Sequence, residues 1–153
     1  MTIWVDADAL PRAVREVLLR AAQRRKISIV LVANRWIEKP KSNWVSTVQV
    51  PPGADVADDH IAENCTSEDL VITADVPLAA RAVENGSTVI TPYGRPLDAD
   101  NVREALSIRD FHEDLRSSGV MTKGPPPFGQ KEVQLFSNAL DRWITRNHKP
   151  TPT

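Results

Sequence analysis

Cysteine occurs once in the 153-residue chain, at Cys65, so neither an internal disulfide nor a cysteine-based zinc site can form. No apolar run approaches the roughly 20 residues that a membrane-spanning helix requires. The first residues, Met1-Thr2-Ile3-Trp4-Val5-Asp6, lack a basic stretch and reach an acid at once, which suits a first strand and not a secretory signal. A Gly-x-Ser-x-Gly elbow is absent, which disfavours a serine hydrolase. Walker A and Gly-x-Gly-x-x-Gly sequences are absent too, so a glycine-rich phosphate cradle has no support. There is no internal repeat and no linker long enough to divide the chain. A cytoplasmic location is expected, with one α/β domain over residues 1–147 and a flexible tail at 148–153.

What the chain does hold is a globular composition, 41% hydrophobic and 25% charged, with a net charge of −1. That balance hides an asymmetry. Residues 9–44 carry nine basic side chains against two acids, and residues 45–75 carry seven acids and no lysine or arginine. An acidic focus beside a basic flank suits a metal site that handles a polyanion; a solvated helix face is the plainer alternative.

Apolar patterning predicts alternating strands and helices. Ile3–Val5 reads as a buried strand. Pro11 opens a helix whose Val14, Val17, Leu18, Ala21 and Ala22 form one stripe. Ile27–Ala33 is a β-branched run expected at the centre of a sheet, residues 34–44 are expected as a loop, and Val45–Val50 as a strand. Asp55 is expected to cap a helix to about Cys65, with Ala57, Ile61 and Cys65 inward. Leu70–Thr73 is the next strand, Val76–Asn85 a helix stopped by Gly86, and Ser87–Thr91 a fifth strand. Residues 92–96 read as a loop, Ala99–Ser117 as a helix, and Gly124–Gly129 as a loop. The last helix places Val133, Phe136, Leu140, Trp143 and Ile144 on one face. Such alternation gives a Rossmann-like, mostly parallel sheet with helices on both faces.

In these sheets ligands bind beyond the carboxyl ends of the strands. Asp6 and Asp8 follow the first strand, Asp75 follows the strand at Leu70–Thr73, and Asp55, Asp58 and Asp59 open the helix before it. Gathered carboxylates repel each other unless a cation compensates them. Oxygen donors without cysteine point to Mg²⁺ or Mn²⁺ held by Asp6, Asp8, Asp55, Asp59 and Asp75. Asp6, Asp55 and Asp75 are the candidate catalytic acids for attack of water on a phosphodiester. Each acid also has a structural role open to it: a turn for Asp6 and Asp8, helix caps for Asp55 and Asp75. Asp58 and Asp69 read as cap and turn acids. His60 is expected to point off the 55/59 face, and His112 and His148 to lie on the surface. Arg35, Trp36, Lys39 and Lys41, with Trp44, interleave aromatics and cations as a loop that binds unpaired bases does, with packing of one or both Trp residues onto the domain edge as the alternative, and Arg95 follows the fifth strand. RNA is preferred to DNA as the partner, and no membrane is expected. Residues 119–126 form a candidate cover over the site.

These stretches resemble the YaiI/YqxD family of bacterial proteins. The resemblance is carried by Ile3-Trp4-Val5-Asp6-Ala7-Asp8-Ala9 with Pro11 and by Gly53-Ala54-Asp55-Val56-Ala57-Asp58-Asp59. Asp69-Leu70-Val71-Ile72-Thr73-Ala74-Asp75-Val76-Pro77-Leu78-Ala79 and Arg116 through Gly124-Pro125 extend it over nearly the whole chain. The family in turn resembles PIN-like nucleases, which implies a Rossmann-like sheet and acids holding Mg²⁺ or Mn²⁺ for phosphodiester cleavage. By position, Asp6 matches the acid after strand one, Asp55 the acid opening the middle helix, and Asp75 the acid of a Thr-x-Asp step. Asp8 and Asp59 have looser counterparts. Leu10 departs from the cysteine common in the family at that place, which favours a packing position.

Two other readings compete. A haloacid-dehalogenase-type phosphatase would use Asp6-Ala7-Asp8 as its Asp-x-Asp motif, yet Leu10 matches that motif loosely and residues 45–75 hold no lysine. A non-catalytic nucleic-acid-binding or regulatory module would keep metal for structure and bind through the 35–44 loop.

Overall fold

A computed structural model describes residues 1–8, 10–38, 40–53, 55–106 and 129–147. The expected 148–153 tail, the 119–126 cover, His112, His148, Lys39 and most of the 99–117 helix lie outside the described residues.

The first strand, β1 (Thr2–Asp6), is followed by α1 (Arg12–Arg25), β2 (Ser28–Ala33), β3 (Val45–Gln49), α2 (Val56–Asn64), β4 (Leu70–Ile72), α3 (Val76–Glu84) and β5 (Thr88–Ile90). A two-residue strand, β6 (Pro96–Leu97), comes next. Helix α4 begins at residue 102 and is described as far as 106, and α5 spans Gln130–Asn147. No helix among the described residues is long and apolar enough to cross a membrane.

The strands form one sheet in the order β3-β2-β1-β4-β5-β6. All pairs are parallel except β5 with β6. β1 is central, flanked by β2 and β4, and its side chains alternate between the two faces of the pleat. Ile3 and Val5 join the core under α1 and α5, with Leu18, Phe136, Leu140 and Ile144. Trp4 faces the opposite layer, where Val71, Ile61, Leu78 and Val89 pack under α2 and α3. Its ring meets the His60 ring edge-on, with centroids 6.0 Å apart. Burial of each fully enclosed Leu, Ile or Phe contributes about 1.5–3 kcal/mol, so both layers are fixed by apolar side chains and the polar edge is left to function.

Residues 92–96 differ from the loop expected there, because their end joins the sheet as β6. The chain reverses through the Gly94 N–H bonded to the Thr91 carbonyl at 2.9 Å, and Arg95 returns its carbonyl to the Thr91 N–H at 2.9 Å. Gly94 has φ +85, and a Cβ there would sit 2.6 Å from the Leu135 backbone carbon of α5. Only glycine permits both that turn and that approach. Pro96, which has no N–H to donate, stands on the sheet edge, where its lack is tolerated.

Candidate functional site

The strand order reverses between β1 and β4: the chain winds outward to β2 and β3 on one side and to β5 on the other. The crevice beyond the carboxyl ends of β1 and β4 is therefore the switch point at which such sheets bind ligands. The register pairs Val5 with Ile72, which carries Asp6 alongside Thr73. The buried Thr73 hydroxyl donates to Asp6 Oδ2 at 3.1 Å and accepts from the Asp75 backbone N–H at 3.0 Å. Asp75 caps α3, its Oδ1 accepting from the Leu78 N–H at 2.9 Å. One threonine thus links the ends of β1 and β4, and Asp75 serves as a cap while its carboxylate remains at the edge.

Asp55 stands at the N-terminal boundary of α2 with φ 66, a left-handed conformation, and its side chain makes no capping bond. Aspartate tolerates that region better than most residues, and such strain collects at functional sites. The turn sets which face α2 presents. Asp58, one turn in, shares the electrostatic field of Asp75, Asp6 and Asp55. Burial is the largest influence on Asp58, and with these like charges it pushes the carboxyl up to about 6. Arg81 offsets this least among the resolved influences; its guanidinium is already 2.6 Å from Asp59 Oδ1. Asp6 is also raised, chiefly by burial, with Asp8 and Asp75 adding to the rise and the Thr73 hydroxyl opposing it.

Asp6, Asp58 and Asp75 are therefore brought together, with Asp55 at their exposed margin. Asp59 turns instead into the exposed pair with Arg81. Asp8 stays near Asp6, but both of its oxygens accept from the Asn34 N–H, at 3.1 and 3.0 Å, and Arg35 lies 3.8 Å away. Trp36 is 72% exposed. Arg35 and Lys41 are exposed beside it, and Arg95 is exposed after the β5 turn. Lys39 lies outside the described residues.

Sequence reasoning left two members out. The sequence presents Asp58 as a cap acid, because its orientation depends on the helix entry at Asp55. Thr73 reads as the end of a strand; the Thr-x-Asp spacing is its signal, since a hydroxyl two residues before a capping acid can bond that acid's N–H. Asp69 is structural as expected.

The donor set suits a hard divalent ion: carboxylate oxygens only, from three segments, with Asp6 and Asp58 raised in proton affinity chiefly by burial and further by neighbouring carboxylates. Among the described residues no three His, Cys, Asp or Glu side chains already stand close enough to enclose an ion, so binding one requires the carboxylates to draw inward.

An open, mostly parallel α/β sheet with acids at its switch point defines the class: Rossmann-like, consistent with a PIN-like fold. The profile described as "Uncharacterized BCR, YaiI/YqxD family" matches residues 4–146, and the chain belongs to that family. It is 53% identical to a UPF0178 protein of Cellvibrio japonicus over 97% of this chain and 99% of the relative. A UPF0178 protein of Hydrogenovibrio crunogenus is 51% identical, over 95% of this chain and 97% of its own. One of Xanthomonas campestris pv. campestris is 49% identical, over 94% and 90% respectively. No solved structure matches the chain.

Proposed function

We propose that the protein is a divalent-metal-dependent phosphodiesterase acting on nucleic acid, RNA in preference to DNA. The observation that carries this reading is the gathering of Asp6, Asp58 and Asp75 about the switch point, where the Asp75 charge raises the proton affinity of both Asp6 and Asp58. Like charges held so close favour a cation. Asp6, Asp58 and Asp75 are the residues that would hold Mg²⁺ or Mn²⁺, which supplies neutralising charge for the phosphate and a more acidic water.

The chain's own groups do the positioning. Thr73 fixes Asp6 through the 3.1 Å hydrogen bond, and the Leu78 N–H fixes Asp75 at 2.9 Å. Asp55, exposed and not engaged in its own cap, would orient the attacking water and accept its proton. Hydrolysis joins the water oxygen to phosphorus, breaks one phosphorus–oxygen ester bond, and leaves the released sugar oxygen to take a proton.

The phosphatase reading requires Asp8 as a mobile acid, and the bifurcated hydrogen bond it accepts from the Asn34 N–H weighs against that. Binding without cleavage is favoured by one feature, the exposed Trp36 beside Arg35, which serves either reading. Cleavage of labelled RNA and DNA oligonucleotides with Mn²⁺ separates them, using Asp75→Asn as the control because asparagine also caps helices. Metal-dependent cutting by the wild type, lost in the variant, is expected. No cutting, or equal cutting by the variant, would leave binding alone.

A further inference from the structure

A second feature lies on the same edge of the sheet, on the α1 side. A cavity of about 650 Å³ opens between the start of α1 and residues 35–38, 40 and 41, a size typical of small-molecule sites. Its floor is apolar, formed by Ala7, Leu10, Leu31 and Ile37. Ala7 stands between Asp6 and Asp8 in the chain, so the floor begins where the acid cluster ends. Its rim is basic: Arg12, Arg15, Arg35 and Lys41 outnumber Glu16 and Glu38. Arg12, Arg35 and Lys41 are exposed, and Arg15 is half-buried and donates to the Glu38 carbonyl at 3.1 Å. The Arg12 side chain is 93% exposed, with Glu16 at 3.8 Å as a loose partner, and the Arg35 side chain is 64% exposed.

We infer that this cavity receives the base of one unpaired nucleotide of a nucleic-acid strand whose phosphates follow the arginine rim towards the acids. The polymer's identity rests on the phosphodiesterase reading; the cavity's preference for an apolar face beside phosphates does not. An apolar floor takes the face of a base, and a base is free to enter only when it is not stacked and paired in a duplex. The cationic rim supplies the charge complementary to the adjoining phosphates. Trp36, exposed between the lining residues Arg35 and Ile37, offers a stacking surface for the next base. The cavity therefore makes the protein selective for single strands and places the scissile bond beside the inserted nucleotide.

Fluorescence anisotropy of a labelled ten-nucleotide single strand in EDTA reads binding without cleavage. Arg12→Glu places a negative charge on the rim, Leu10→Trp fills the floor, and Arg142→Glu on the exposed side of α5 makes the same charge change elsewhere. The single strand is expected to bind the wild type better than the duplex of the same sequence. Arg12→Glu and Leu10→Trp are expected to weaken it about tenfold or more, with Arg142→Glu close to wild type. The Arg12 side chain packs against little, so its variant remains informative even if Leu10→Trp fails to fold. Unchanged binding by Arg12→Glu, an equal loss in Arg142→Glu, no binding by the wild type, or a preference for duplex would each overturn the cavity's role. A free mononucleotide that displaces the strand at equal concentration would also overturn it, by showing a small-molecule site. Cavity-dependent binding without Mn²⁺-dependent cutting would leave this inference standing and remove the phosphodiesterase; cutting with cavity-independent binding would do the reverse.

Discussion

The two ends of β1 and β4 hold aspartates in opposite circumstances. At the amino end Asp69 is only 6% exposed, yet it accepts from the Thr2 N–H at 2.9 Å, Trp4 Nε1 at 3.1 Å and the Thr66 N–H at 2.9 Å. Its charge is answered by three donors, and it ties the first residues of β1 to the start of β4. At the carboxyl end Asp6 and Asp58 are less buried, face other carboxylates, and are raised in proton affinity. Burial alone does not separate a structural acid from a functional one; the number of donors aimed at each carboxylate does. The first end is complete as it stands, and the second calls for a positive charge.

Removing the donors' partner should do most damage. Asp69→Ala leaves two backbone N–H groups and an indole N–H without their acceptor, and urea unfolding is expected to show a loss of about 3 kcal/mol. A loss below about 1 kcal/mol would erase the distinction between the ends. Thr73→Val keeps the shape but cuts the link between Asp6 and the Asp75 N–H. It should cost about 1–2 kcal/mol and raise Asp6 further, because the hydroxyl lowers it more than the Asp8 backbone hydrogen bond does. Carbon-detected NMR titration of the Asp6 carboxyl reads that shift, and an unmoved midpoint would contradict it.

The pH response sharpens the comparison at smaller amplitude. Asp58 rises from 3.8 to about 6 on folding, so in that window the folded chain holds a proton that the unfolded chain has released. Without divalent ions the wild type should therefore lose stability as pH rises through the window, and Asp58→Asn should be spared that part of the loss. Parallel melting curves for the two proteins across the window would contradict the assignment. The smallest effect belongs to Asp59→Ala: its pair with Arg81 is exposed on both sides, and such pairs are worth under about 1 kcal/mol. Nuclease assays should find that variant close to wild type.

The layered sheet was legible because β-branched runs and helical stripes encode it directly: Ile29, Leu31 and Val32 are all buried in the interior strand β2, and Phe136, Leu140 and Ile144 face inward on α5. Asp6 and Asp75 were legible because the strand-end rule selects them without knowledge of side-chain direction. The choice between Asp58 and Asp59 was not. Neighbouring helix positions differ by about 100°, and which one faces the crevice is set by the left-handed turn at Asp55, which no periodicity reveals. β6 was missed because two residues carry no period, and its pairing arises from a turn that Gly94 allows against α5. The basic-rimmed cavity was hidden for a similar reason: it exists only where α1 and the loop beyond β2 meet.

The most direct test of the contrast between the two ends is thermal unfolding of the wild type and Asp58→Asn at neutral pH, each in EDTA and in Mn²⁺. An ion that binds only the folded chain at a hundred times its dissociation constant adds about 2.7 kcal/mol. The expected result is a variant more stable than the wild type in EDTA, and a wild type that gains stability in Mn²⁺ while the variant gains little. A wild type indifferent to Mn²⁺, or an equal gain in both proteins, would contradict a metal site at the carboxyl end of the sheet.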